Sequence, residues 1–189
     1  MRWDLTPRVG RHPGPTSVGQ RATLHPMRPL HPALVGVVAL LLAGCSEDPR
    51  RAQTLQYLMD MRPVIYENGL LAEQVLHQGA AVYDGRSTPE SLLSAWDGEV
   101  IPLAQHVHDL SMVVEPPGNV APDHRALTEL WKRRYRVYRD LSEASHRADL
   151  DAFQNAQRES TAVTLEEDQW VRAFNAKLQP MELFVDLVP

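Results

Sequence analysis

The chain has 189 residues, 43% of them hydrophobic, with 19 Lys+Arg against 24 Asp+Glu for a net charge of −5. One cysteine, Cys45, excludes an intrachain disulfide framework. The acidic balance argues against nucleic acid as a partner, because phosphate backbones are bound through surplus Lys and Arg.

Residues 1–26 carry Arg2, Arg8, Arg11 and Arg21 and four prolines, with no usable period. Met27-Arg28 then sets a methionine and a positive charge ahead of the uncharged apolar run Ala33–Leu42, which Ala43-Gly44-Cys45 closes. This run is too short to cross a bilayer core, which needs about 20 residues in a helix. It fits the apolar region of a secretory signal, about 7–15 residues long, with small residues at the cleavage point. A buried core helix followed by a loop is the structural alternative.

Leu42-Ala43-Gly44-Cys45 resembles the lipobox of bacterial lipoproteins at all four positions. The resemblance implies cleavage between Gly44 and Cys45, a diacylglycerol thioether on Cys45, and acylation of the new amino terminus in many bacteria. More residues precede the apolar run than such a signal carries. Translation is therefore expected to start at Met27, giving the signal Met27–Gly44; the alternative is a disordered basic arm removed in processing. Residues 1–44 are set aside on either account.

The mature chain, 45–189, is the size of one domain. Removing five Arg and one Asp leaves 14 basic against 23 acidic residues, a net charge of −9. Residues 45–51 read as a short lipidated tether and 52–189 as a helical domain.

Four segments carry helical periodicity and none reads as a strand. The first spans about Arg51–Tyr83, with Leu55, Leu58, Met59, Ile65, Val75, Leu76 and Val82 as its apolar face and Pro63 predicting a kink or break. Asp84–Ser87 is a turn. Thr88 as N-cap, Pro89 and Glu90 open the second, whose stripe is Leu92, Trp96, Val100, Leu103, Val107, Leu110 and Val114, with a kink expected at Pro102. Glu115–Asn119 ends it. Pro122 opens the third, with Leu127, Trp131, Arg134, Tyr138, Leu141 and Ser145 on one face. Asp149 caps the fourth, whose face runs Phe153, Gln157, Ser160, Val163, Glu167, Trp170, Val171, Phe174 and Leu178. Pro180 marks its end, and the tail Met181–Pro189 is apolar enough to fold back. The expected fold is all-α, an antiparallel up-down-up-down four-helix bundle. A three-helix core with a broken first helix is the alternative.

Chemistry has few footholds. Glu143-x-x-His146 has the spacing of a di-iron half-site, but such a site needs two of them plus two inward carboxylates, and Glu143 is rotated off the apolar stripe. His106 and His108 point to different sides of one helix, while His77 and His124 stand alone. No metal or cofactor is therefore expected. Arg125, Lys132, Arg133, Arg134, Arg136 and Arg139 make the third helix basic, either as a solvated face with local pairs or as a docking patch for an acidic partner. Glu166-Glu167-Asp168 is the acidic counterpart on the next helix. Trp96, Trp131 and Trp170 fall on apolar stripes as core aromatics; Trp3 lies in the discarded arm.

Two charges interrupt the apolar faces. Arg134 falls between Trp131 and Tyr138, and Glu167 between Val163 and Trp170. A turn near Arg147–Asp149 makes these helices antiparallel, so positions summing to about 296 should face each other. That sets Arg134 and Glu167 about one helical turn, ~5.4 Å, out of register. Either they pair across the interface, or each reaches solvent separately.

No nucleophile–base order, phosphate loop, zinc spacing or repeat is present, so a non-enzymatic reading is expected. The favoured function is an envelope lipoprotein whose domain binds another envelope protein or serves an assembly. The alternative is a bundle carrying or sensing a small apolar or metal ligand. In layout the mature part resembles small uncharacterised helical-bundle lipoproteins, a likeness that brings no function with it. Ser46 rather than Asp follows Cys45, which by resemblance implies the outer membrane, facing the periplasm, if the source is Gram-negative.

Overall fold

The computed structural model describes residues 48–187, and every regular element among them is helical. Asp48 caps the first helix by accepting a hydrogen bond from Arg50 N at 2.9 Å. Pro49 follows at a position where a missing amide costs nothing. Helix α1 therefore runs Pro49–Tyr83, two residues earlier than expected. The tether contracts accordingly: Ser46, Glu47 and Asp48 alone separate Cys45 from α1.

Helix α1 continues unbroken through Pro63. Met61 and Val64 on either side are buried, and tertiary packing carries a helix across one lost amide bond. The core seam of α1 also differs from the expected face. Thr54, Tyr57, Met61, Val64, Asn68 and Leu71, spaced alternately by three and four, are buried, whereas Leu55, Met59, Leu76 and Val82 are exposed. Of the expected face only Leu58, Ile65 and Val75 pack at the margin of the core. Thr54 and Asn68 hide the true seam, because they are polar residues at inward positions.

Gly85, at φ 66°, supplies the left-handed residue of the expected turn. Thr88 then caps α2, Pro89–Ala95, in a reciprocal box: its hydroxyl accepts from Ser91 N at 3.2 Å, and Ser91 Oγ accepts from Thr88 N at 2.9 Å. A π-helical turn, Trp96–Val100, leads without interruption into α3, Ile101–Met112. This turn is how the chain meets Pro102. In a regular helix the proline ring collides with the carbonyl one turn back, and the wider turn, closed by Ile101 N on Trp96 O, moves that carbonyl aside.

After the proline-rich loop, α4 spans Ala121–His146. Ala148, at φ 51°, turns the chain, and Asp149 caps α5, Leu150–Leu178, by accepting from Ala152 N at 3.0 Å. A 3₁₀ turn, Gln179–Met181, ends the regular structure. α4 packs along α5 and against α3, and α1 packs on α3 and the π turn.

The tail folds back. Asn175 of α5 grips Val185 at both ends, donating to its carbonyl and accepting from its amide, each at 2.8 Å. Asn68 of α1 donates to Leu187 O at 3.0 Å. Val185 and Leu187 are buried, so this strap ties α5 to α1.

Candidate functional site

The most connected polar cluster lies where α1, α4, α5 and the tail meet. Arg134 Nη1 stands 2.9 Å from Glu167 Oε2, with both side chains only 13% exposed. The other Glu167 oxygen accepts from Trp131 Nε1 at 2.9 Å. Arg134 Nη2 donates to Asn68 Oδ1, whose amide in turn holds Leu187 O. Arg134 Nε is buried without a hydrogen-bond partner among the described residues. The two interrupting charges thus face each other, slightly beyond the expected register: Arg134 with Glu167 sums to 301, and Asp123 with Lys177 to 300. Such a cluster aligns helices, and it presents no reactive atom to solvent.

A second cluster sits on the π turn. Asp97 accepts from Ser142 Oγ with one oxygen, and His146 Nε2 lies 2.6 Å from the other. The Ser142 hydroxyl first, with His146 assisting, holds the Asp97 carboxyl below its usual range against partial desolvation. Ser, His and Asp meet here, but not as a nucleophilic triad. A triad needs Ser bonded to His, whereas both bond the carboxylate, which leaves the hydroxyl unactivated. The sequence shows Ser142 and His146 one turn apart. Asp97, 45 positions upstream of Ser142, becomes their partner only in the fold, so this cluster had no sequence signal.

His124 is buried against Tyr57, with Nδ1 3.0 Å from the phenol oxygen and the rings edge-to-face. Burial pushes the His124 pKa down, opposed by a hydrogen bond to the Ser111 backbone. Burial, with the Asp123 charge, pushes the Tyr57 phenol up. The isolated histidine of the sequence is thus a neutral core residue.

The remaining candidates disperse. Glu143 faces Arg139 at 3.5 Å and Arg147 at 3.9 Å, away from the Asp97 contact of His146, so Glu143 and His146 converge on no common centre. His108 lies against Asp109, His106 is exposed, and His77 lines an open groove of about 620 Å³ with Leu70, Glu73, Gln74, Glu99 and Leu103. Arg133 crosses to α5, meeting Glu166 at 2.6 Å and Glu159 at 2.7 Å. The centre of the basic face is therefore spent on the acidic face of α5, while Lys132 pairs locally with Glu129. Trp131 is fully buried, whereas Trp96 and Trp170 are half-buried with their indole N–H groups on Tyr138 O and Asp123 O. Gly44 and Cys45, the cleavage and lipidation residues, lie outside the described residues, as do Met27 and Trp3.

Among the described residues no group of three His, Cys, Asp or Glu is placed to hold a metal ion, and no helix is long and apolar enough to cross a membrane. Tyr57, Leu71, Leu127, Trp131, Phe174 and Leu178 fill the space between the helices. The chain matches no known protein family, no curated protein and no solved structure.

Proposed function

We propose that this chain is a bacterial envelope lipoprotein, anchored through lipid on Cys45, whose non-enzymatic helical domain binds another envelope protein or serves an assembly. The single observation that carries the anchoring is the run Ala33–Leu42 closing on Leu42-Ala43-Gly44-Cys45. The start of α1 only four positions after Cys45 suits a domain held directly on its anchor. We read the helices as an up-down-up-down bundle, supported by short connections and by the pairing of the end of α5 with the start of α4 through Lys177 and Asp123. A scaffolding or interaction role, rather than catalysis, suits a domain whose buried polar cluster, Arg134 with Glu167, Trp131 and Asn68, ties its helices together. Ser46 after the lipidated cysteine favours the outer membrane of a Gram-negative cell.

Two acyl chains or more hold a protein stably, while one gives only about 10⁴ M⁻¹. Cys45→Ser is expected to move the protein from the membrane fraction to the soluble or unprocessed pool. Retention of the Ser variant on membranes through a high-salt wash overturns the reading. Density separation then assigns the membrane, and recovery with the inner one refutes the outer-membrane assignment. Crosslinked envelopes are expected to yield a protein partner.

A further inference from the structure

One end of the helical domain gathers exposed apolar side chains within reach of the anchor. Asn119 Nδ2 donates to Thr54 Oγ1 at 2.9 Å, bringing the loop after α3 onto the first turns of α1. Arg51 Nε donates to Met181 O at 2.9 Å, bringing the end of α5 and the start of the tail to the same place. Met112 (63% exposed), Val113 (75%) and Phe184 (70%) stand out from these segments. The opposite end carries Tyr83 and Leu150, about 50 Å away along the 35-residue α1 at ~1.5 Å per residue.

The chain upstream of α1 decides which surface these side chains meet. Four residue steps link Cys45 to Pro49, and even fully extended they span only about 14 Å. A lipidated Cys45 therefore keeps this end within a headgroup layer's distance of the bilayer. Exposed Glu115 and Glu182 lie beside the apolar residues and offset Arg50 and Arg51 on the first turn of α1, so this end carries no basic surplus to draw it to anionic lipid.

Resting on the lipoprotein reading above, we propose that this end is a bilayer-contact surface: Met112, Val113 and Phe184 settle into the interfacial layer of the membrane that holds the anchor, and the helices stand away from it. The lipid chains already secure retention. The contact sets orientation, presenting the far end to partners.

The test uses the mature lipidated chain in phosphatidylcholine vesicles. Variants Val113→Cys, Phe184→Cys, Tyr66→Cys and Tyr83→Cys each carry one environment-sensitive fluorophore, Cys45 being blocked by its thioether. All four positions are exposed, so none disturbs the core. Labels at 113 and 184 are expected to shift to the blue and be quenched several-fold more by brominated lipid than the label at 83. Adding anionic lipid is expected not to deepen that quenching. Equal quenching at 113, 184 and 83 overturns the proposal. So does quenching at 66 as deep as at 113, which means a domain lying on its side. Intact mass separates the two failures: a chain without the acyl addition overturns the lipoprotein reading, whereas an acylated chain with unquenched labels overturns the contact surface alone.

Discussion

Arg134 on α4 and Glu167 on α5 face each other at 2.9 Å, both largely withdrawn from water. Desolvating two charges costs several kcal/mol, which their attraction repays only when every other polar atom nearby is satisfied. Here Arg134 Nε is not, so the pair fixes register more than it adds stability.

Removing one partner strands the other. Arg134→Met is expected to cost about 3–5 kcal/mol, and Arg134→Met with Glu167→Met costs less than the sum of the singles by the coupling energy. Chemical unfolding of the four-member cycle measures this. The expected coupling is about 1–3 kcal/mol, and a value indistinguishable from zero removes the pair from any role in register.

The pair was legible only as one of two alternatives: both charges interrupt otherwise apolar faces and a short turn fixes the direction of the second helix, but the sequence left separate escape to solvent open as well. The helix boundaries were legible for a similar local reason: Thr88, Pro89, Asp149 and the run Glu115–Asn119 act within a turn of their own position. The seam of α1 was not. Its inward positions include Thr54 and Asn68, which are tolerated because Asn119 and Leu187, both distant in sequence, satisfy them. Asn68 is also where the network leaves the two helices that the sequence could align. Likewise Pro102 announced a distortion, but its resolution into a π turn that presents Asp97 to Ser142 depends on α4 lying alongside.

The Asp97 cluster makes a pH-dependent contribution of known sign. A carboxyl held below its usual pKa adds stability above the unfolded value, about 3.9, and loses it as pH falls through the lower folded value. The side chain is 42% exposed, so solvent screening reduces the effect to about 1 kcal/mol at pH 7. Asp97→Asn is expected to show that deficit in urea unfolding at pH 7 and to converge on the parent chain as pH falls below about 4 toward the lower folded value. A deficit that stays constant across this range means the carboxylate charge is not what Ser142 and His146 stabilise.

His124 acts in a higher window. Burial lowers its pKa from 6.5, so the unfolded chain takes up a proton before the folded one does. Its contribution is complete above pH 6.5 and falls as pH drops from there toward the folded value. His124→Phe is expected to flatten the stability profile as pH falls below about 6.5, whatever it does to stability at pH 7. Tyr57→Phe leaves a buried ring nitrogen without its partner and is expected to cost about 1–3 kcal/mol. Thermal unfolding of the His124→Phe variant across that range is the measurement, and an unaltered slope assigns the acid sensitivity elsewhere.

The turn between α4 and α5 holds a residue in conformational strain. Ala148 adopts φ 51°, closing α4 with Asp149 N on Ala144 O at 2.9 Å and Ala148 N on Ser145 O at 3.0 Å. The left-handed region costs an L-residue with a Cβ about 1–2 kcal/mol, and glycine ordinarily ends helices in this way. Glycine removes the steric cost but enlarges the freedom of the unfolded chain by about 0.4–1 kcal/mol. The difference leaves Ala148→Gly more stable by about 0.5–1 kcal/mol. Few substitutions to glycine inside a helical protein carry that sign, so the measurement is discriminating. A rise in the unfolding midpoint at unchanged denaturant slope is the expected result. A fall would mean that the α4–α5 turn does not hold Ala148 in the left-handed region.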